Sequence, residues 1–313
     1  MAERGMRTFW LHPAELFVAR IVAIVIVLDA GLVALRGSSI DVAAYAKIAL
    51  LVGLFLGLGL AYRRSGRSEA IGAMTVCTGL FIAFTASLSL FNYLLTPNPR
   101  PLIDPWLQAA DSALGYHWPD AIAWAAEHPL FNEAMRFAYM ATLPQIAVLV
   151  AVLGLTKRLE DLYSLLLTVT ITGTIAVMFW GLFPSAGAKS FHHISSALLH
   201  LVRPVVDPAY GAEILALVKN GAPYLSPDEF RGLIAFPSFH IVLAVTATWH
   251  ARHINWLFGP YLLVNLIVLP AVLVHGGHHL VDIPAGMAVF AFGLYCAREI
   301  LHPAAARAAI PAT

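Results

Sequence analysis

The chain has 313 residues, 59% of them hydrophobic and 12% charged, a charged share about half that of soluble domains. This excludes an ordinary soluble domain and makes lipid the main solvent. The net charge of +1, with no basic tract, leaves no footprint for nucleic acid. Cys77 and Cys296 both fall inside apolar runs and read as small core residues rather than a disulfide framework.

The N-terminal stretch MAERGMRTFWLHPAE leads into an apolar run too long for a signal-peptide core and without a small-residue cleavage site, so it reads as a retained first span. With it, about eight segments reach bilayer length, at approximately 14–35, 43–62, 71–95, 134–155, 162–183, 235–251, 256–275 and 279–301. The expected fold is therefore an all-α polytopic membrane helix bundle in one membrane domain, with no internal repeat. Basic residues sort to one side of these spans: Arg4 and Arg7, then Arg63, Arg64 and Arg67, then Lys157 and Arg158, then Arg252, then Arg298 and Arg307. That side is expected to be cytoplasmic, with both termini inside. Connections 96–133 and 184–234, and the HGGHH link, then lie outside.

The first outer connection carries Trp106, Trp118 and Trp124 among mixed apolar and polar residues, the composition of helices lying in the headgroup region. Packing against the bundle and contact with a lipid substrate both fit. The second is long enough for structure of its own and supplies four cations, Lys189, Arg203, Lys219 and Arg231. Arg20, Asp29 and Lys47, in or near the first two spans, read as structural pairs or interfacial anchors.

Ionisable groups inside a membrane point to function, and they concentrate in two places. His240 opens the sixth span, and the stretch HGGHHLVD, residues 275–282, joins the seventh and eighth. A short hairpin connects the sixth and seventh, so the two places can meet. Three chemistries could use them. A metal site draws on the i, i+4 pair His275 and His279 but lacks the Glu that follows the first His in zinc proteases. A proton path draws on the His and Asp residues but finds no further aligned carboxylates. Nucleophilic catalysis on phosphate, with His278 attacking, Asp282 orienting it and His240 supplying a proton, uses the most residues with the fewest exceptions.

The motifs Pro237-Ser238-Phe239-His240 and His278-His279-Leu280-Val281-Asp282 resemble the P-S-x-H and H-x-x-x-D signatures of the type-2 phosphatidic acid phosphatase (PAP2) superfamily. The P-S-F-H and G-G-H-H forms are closer to its inositol-phosphorylceramide-synthase-like branch. GLFPSAGAKSF, residues 181–191, is similar to that branch's first motif, which maps a phosphate-binding cation onto Lys189. The resemblance covers roughly residues 71–300. It implies a six-helix catalytic core at 71–302, two additional N-terminal helices within 1–70 and a short tail at 303–313. The superfamily's Arg six residues before the nucleophile is here Val272, and Lys189 or Arg231 is expected to stand in.

The resemblance implies a metal-independent lipid phosphate phosphatase without cofactor. His278 forms a phosphohistidine, His240 protonates the leaving group, and Asp282 fixes the His278 tautomer. Pro237 is expected in the first turn of a helix, with Ser238 and nearby N–H groups facing phosphate. The substrate is a phosphorylated lipid, and the site faces the extracytoplasmic side of a cell membrane of bacterial inner-membrane type. Three other readings stay open: a phosphotransferase moving a head group between lipids, with the apolar ISSALLHLV folding over the site as a lid, a lipid or proton transporter, and an inactive homologue.

Overall fold

A computed structural model describes residues 11–303; Arg4, Arg7 and Arg307, and nearly all of the tail, lie outside the described residues. Among these, twelve α-helices are joined by short connections, and the sole strands are two residues each. Seven helices are long and apolar enough to cross a membrane: α1 (Pro13–Arg36), α2 (Val42–Arg64), α3 (Glu69–Leu94), α6 (Pro129–Leu155), α7 (Leu159–Leu182), α11 (Asn255–Gly276) and α12 (Asp282–Leu301). The protein is an all-α, polytopic integral membrane bundle. Four shorter helices, α4 (Asp104–Ala113), α5 (Trp118–Glu127), α8 (Ser196–Val202) and α9 (Pro208–Asn220), occupy the two long connections.

Local chemistry sets the helix ends. The His12 ring accepts from Ala14 N while Glu15 accepts from His12 N, and Gly37 closes α1 in the left-handed conformation. Asp41 and Ser68 cap α2 and α3 by accepting from Ala44 N and Ile71 N. At this end of the bundle the buried Arg63 donates to both Glu15 oxygens at 2.6 and 2.7 Å and to Tyr163 Oη at 3.2 Å. That bidentate pair joins α1, α2 and α7. At the other end, strands β1 (Ser39–Ile40) and β2 (Tyr224–Leu225) pair in parallel, and Ser226 Oγ donates to Asp41 Oδ2 at 3.1 Å. The α1–α2 hairpin thus holds the second long connection.

The main core lies where α1, α3, α6, α7, α10 (Phe239–Ala251) and α11 meet, with a second cluster around α5, α6, α10 and α11 beneath the site. Polar side chains tie its helices together: Gln145 of α6 and Asn265 of α11 exchange hydrogen bonds at 3.1 and 2.9 Å, and Asn265 also donates to Thr248 of α10. Such bonds tie helices that hydrophobicity alone would not hold together in lipid. Arg20 and Lys47 are exposed, whereas Asp29 is buried with one carboxylate oxygen lacking a hydrogen bond among the described residues.

The sixth span differs from its expected bounds. Its helix, α10, runs only from Phe239 to Ala251, 13 residues. Residues 232–238 are not helical, and Pro237 precedes the N-cap Ser238 instead of lying in the first turn. The physical reason is visible at Ser238: its N–H donates across to Asp282 O at 3.3 Å, so the backbone there is committed to α12.

Candidate active site

The site forms where the first turn of α10, the end of α11 and the start of α12 converge. Gly277 takes the left-handed conformation (φ 62°) that ends α11, and five residues later α12 begins at Asp282. Within that turn His278 Nδ1 lies 2.8 Å from Asp282 Oδ2, and His279 N donates to the same oxygen at 3.0 Å. With Nδ1–H donating to the carboxylate, Nε2 keeps its lone pair. Ser238 Oγ stands 3.4 Å from that nitrogen. As N-cap of α10, Ser238 makes no side-chain cap bond, which frees its hydroxyl for Nε2 and leaves first-turn N–H groups available to an anion. The His240 ring, in the first turn of α10, stacks on Tyr139 at 4.1 Å and 16°.

Lys189 sits in a 3-10 turn, Ala188–Ser190, and is buried. Its Nζ donates to Ala186 O at 2.9 Å and its N–H to Gly277 O at 3.3 Å. Two glycines make this approach possible: a Cβ at Gly277 would lie 2.6 Å from Lys189 Cβ, and one at Gly187 would lie 2.8 Å from Lys189 Nζ. Burial pushes the Lys189 amine down to about 8, against the pull of Asp282 and Asp104. Of the two cations expected near phosphate, Lys189 therefore lies in the cluster. Arg231 does not: it is exposed, 3.6 Å from Glu213 and over the Tyr210 ring at 5.0 Å. Val272 is fully buried, and its carbonyl accepts from His278 N at 3.3 Å.

Sequence reasoning missed the residues that brace this turn. Asp104 and Asp111 lie two turns apart on α4, hence on one face, and that i, i+7 spacing was the available signal. Asp104 accepts from Ala186 N at 3.0 Å and Gly187 N at 2.7 Å, beside Lys189. Asp111 accepts from Val281 N and lies 2.9 Å from His279 Nδ1, while His279 Nε2 is 3.5 Å from Asp104. Burial opposes the His279 imidazolium, but Asp104, Asp282 and Asp111 outweigh it and hold the His279 pKa above its ordinary value. The short helix α4 thus bolts the loop of Lys189 to the loop of His278. Around it Trp106 and Trp124 are exposed, whereas Trp118 is buried and donates to Leu273 O at 2.8 Å.

His275 faces elsewhere, with Nε2 3.1 Å from Asn132 O. It and His279 are separated by the helix end at Gly277, so they do not form the one-face pair of a zinc-protease helix.

A buried imidazole, polarised by a carboxylate on one nitrogen and open on the other, stands beside a buried amine and a helix N-terminus. That combination suits nucleophilic attack on an electrophile carrying negative charge, with the charge stabilised in place. No curated protein and no solved structure matches the chain. The model of the PAP2 superfamily matches residues 105–296, a narrower stretch than the 71–300 expected, and it spans α4, the Lys189 turn, His240 and the His278–Asp282 turn. Membership and membrane-spanning helices together fit a membrane lipid phosphatase or phosphotransferase. With more than half its length matched, the chain belongs to the PAP2 superfamily.

Proposed function

We propose that the protein is a lipid phosphate phosphatase that works through a phosphohistidine on His278. The observation that carries this reading is the 2.8 Å pair between His278 Nδ1 and Asp282 Oδ2, which leaves Nε2 facing Ser238 beside the buried Lys189. In the first step Nε2 attacks phosphorus, the N–P bond forms and the P–O bond to the leaving group breaks. His240 gives a proton to the departing oxygen. Water then attacks phosphorus, returns a proton to His240 and releases phosphate from Nε2. Asp282 stabilises the imidazolium throughout, while Lys189, Ser238 and the first turn of α10 hold the phosphoryl oxygens. Arg231 can join them only by leaving Glu213. Residues 71–302 form the catalytic core in this reading, and α1 and α2 are an addition that holds the second connection.

One feature favours a second reading. His278, Ser238, Asp282 and Lys189 are all buried, and exclusion of water favours transfer of the phosphoryl group to an alcohol, as in the inositol-phosphorylceramide-synthase-like branch. A panel of phosphorylated lipids, incubated with the purified protein in excess EDTA with and without inositol or glycerol lipids, separates the two. Free phosphate is expected whatever acceptor is present. Product lipid with little free phosphate overturns hydrolysis, and activity lost in EDTA but restored by zinc returns the metal reading.

The basic residues Arg63, Arg64, Lys157, Arg158, Arg252 and Arg298 support a cytoplasmic position for their ends of the helices, with the histidines on the outer side in this reading. A protease site inserted near Asn220 is expected to be cut from outside in intact cells, and protection of that site would move the histidines to the cytoplasmic face.

A further inference from the structure

The bundle carries a second charged site at its other end, far from the histidines. There the start of α7 and the ends of α10 and α12 enclose a cavity of about 210 Å³. Trp249 forms its platform. Arg252 lies over the Trp249 ring at 4.2 Å and Arg298 over the same ring at 5.2 Å, within the range in which a guanidinium is attracted to an aromatic face. The acidic residues lining the cavity are already paired with other groups: Asp161 with Arg158 at 3.5 Å, and Glu160 with His302 at 2.8 Å. Among the described residues neither Arg252 nor Arg298 has a carboxylate within ion-pairing distance. Arg298 repels Arg252 and Asp161 attracts it more strongly, and one Arg252 nitrogen donates to Trp249 O at 2.6 Å; the remaining N–H groups of two guanidiniums gathered on one indole form a site for an anion with several oxygens.

We propose that this cavity binds the phosphate headgroup of an anionic phospholipid in the leaflet opposite the histidines. The apolar surface leading into it distinguishes a lipid from a free phosphate. Tyr295 precedes Arg298 by about one turn on the same face of α12 and is 61% exposed. It offers a path for an acyl chain toward the guanidinium, and Leu301 lines the cavity beside it. Basic pockets between membrane helices on the cytoplasmic side are the setting in which anionic headgroups are held.

The test is equilibrium binding of a fluorescent phosphatidylglycerol to the full chain in phosphatidylcholine nanodiscs. A His278→Ala background keeps lipid at the other end of the bundle from being turned over. Unlabelled phosphatidylglycerol is expected to compete, and glycerol 3-phosphate and inorganic phosphate are not. The double variant R252Q/R298Q is expected to bind about thirtyfold more weakly, the combined effect of two basic residues at a membrane surface. Trp249→Leu keeps both charges, removes their platform and is expected to weaken binding several-fold, so the site is tested even if the double variant is unstable. Unchanged binding in either variant overturns the proposal. Competition by glycerol 3-phosphate as strong as that by the lipid assigns the cavity to soluble phosphate and overturns the lipid.

Discussion

Replacing His278 by alanine is expected to eliminate the phosphoenzyme and to lower turnover by about 10⁴–10⁶-fold, the scale of losing a covalent nucleophile. Nε2 is the atom left unprotonated by the bond from Nδ1–H to Asp282, so no neighbour replaces it. Asp282→Asn keeps the shape but can donate to the imidazole and favour the wrong tautomer. A loss of about 10²–10⁴-fold is expected, with substrate still bound. His240→Ala is expected to slow substrates with poor leaving groups and to spare those whose leaving group needs no proton. Acid-labile phosphate on the protein, followed with a labelled lipid, reads all three. His279 supplies the control: its Nδ1 is held by Asp111 at 2.9 Å, so His279→Ala should loosen the turn without removing the phosphoenzyme. Phosphoenzyme lost in His279→Ala and kept in His278→Ala would reassign the nucleophile.

Above about pH 8, kcat/KM for a phosphate monoester is expected to fall tenfold per unit as Lys189 loses its proton. The sign follows from its burial, which pushes the amine down to about 8: below that pH the cation is present, above it the amine is neutral. A monoester has already lost its second proton near 6, so substrate ionisation does not contribute between pH 7 and 9. The free-enzyme value is what kcat/KM reports. Lys189→Met is expected to lose about 10²–10³-fold, comparable to removing one donor from a charge-stabilising site, and to flatten the alkaline limb. Lys189→Arg should move that limb upward while retaining part of the activity. An unchanged alkaline limb in Lys189→Met would assign the fall to another group.

The long spans and the end of α11 at the site were legible because each rests on local chemistry. Long apolar runs have one low-cost state in lipid, and the Gly276-Gly277 pair announces a break before His278. The bracing by α4 was not legible as a contact, since Asp104 and Asp111 meet His279 across about 170 residues of chain and sit in a stretch whose tryptophans drew attention to lipid. Arg231 stands differently: charge and loop position put it among the candidates for phosphate, and its contacts with Glu213 and Tyr210, on α9, could not be read from the sequence. The length of α10 also escaped periodicity: residues 232–236 are as apolar as a helix requires, and the hydrogen bond from Ser238 N to Asp282 O, which ends the helix, is a tertiary contact.

The shortness of α10 sets a depth. Fourteen residues separate Ser238 from Arg252 and sixteen separate Asp282 from Arg298, so at 1.5 Å per residue two different helices place the histidine turn about 21–24 Å from the arginine pair. The hydrocarbon layer is about 30 Å thick. With the arginines at one boundary, the reacting nitrogen stands several ångströms below the other. A phosphate must therefore be carried beneath the headgroup plane to reach it, a descent that a lipid offsets by its own anchoring and a water-soluble phosphate does not. For the proposed phosphatase, selection of amphiphiles is then expected from vertical position in the bilayer, before any side chain touches the head group.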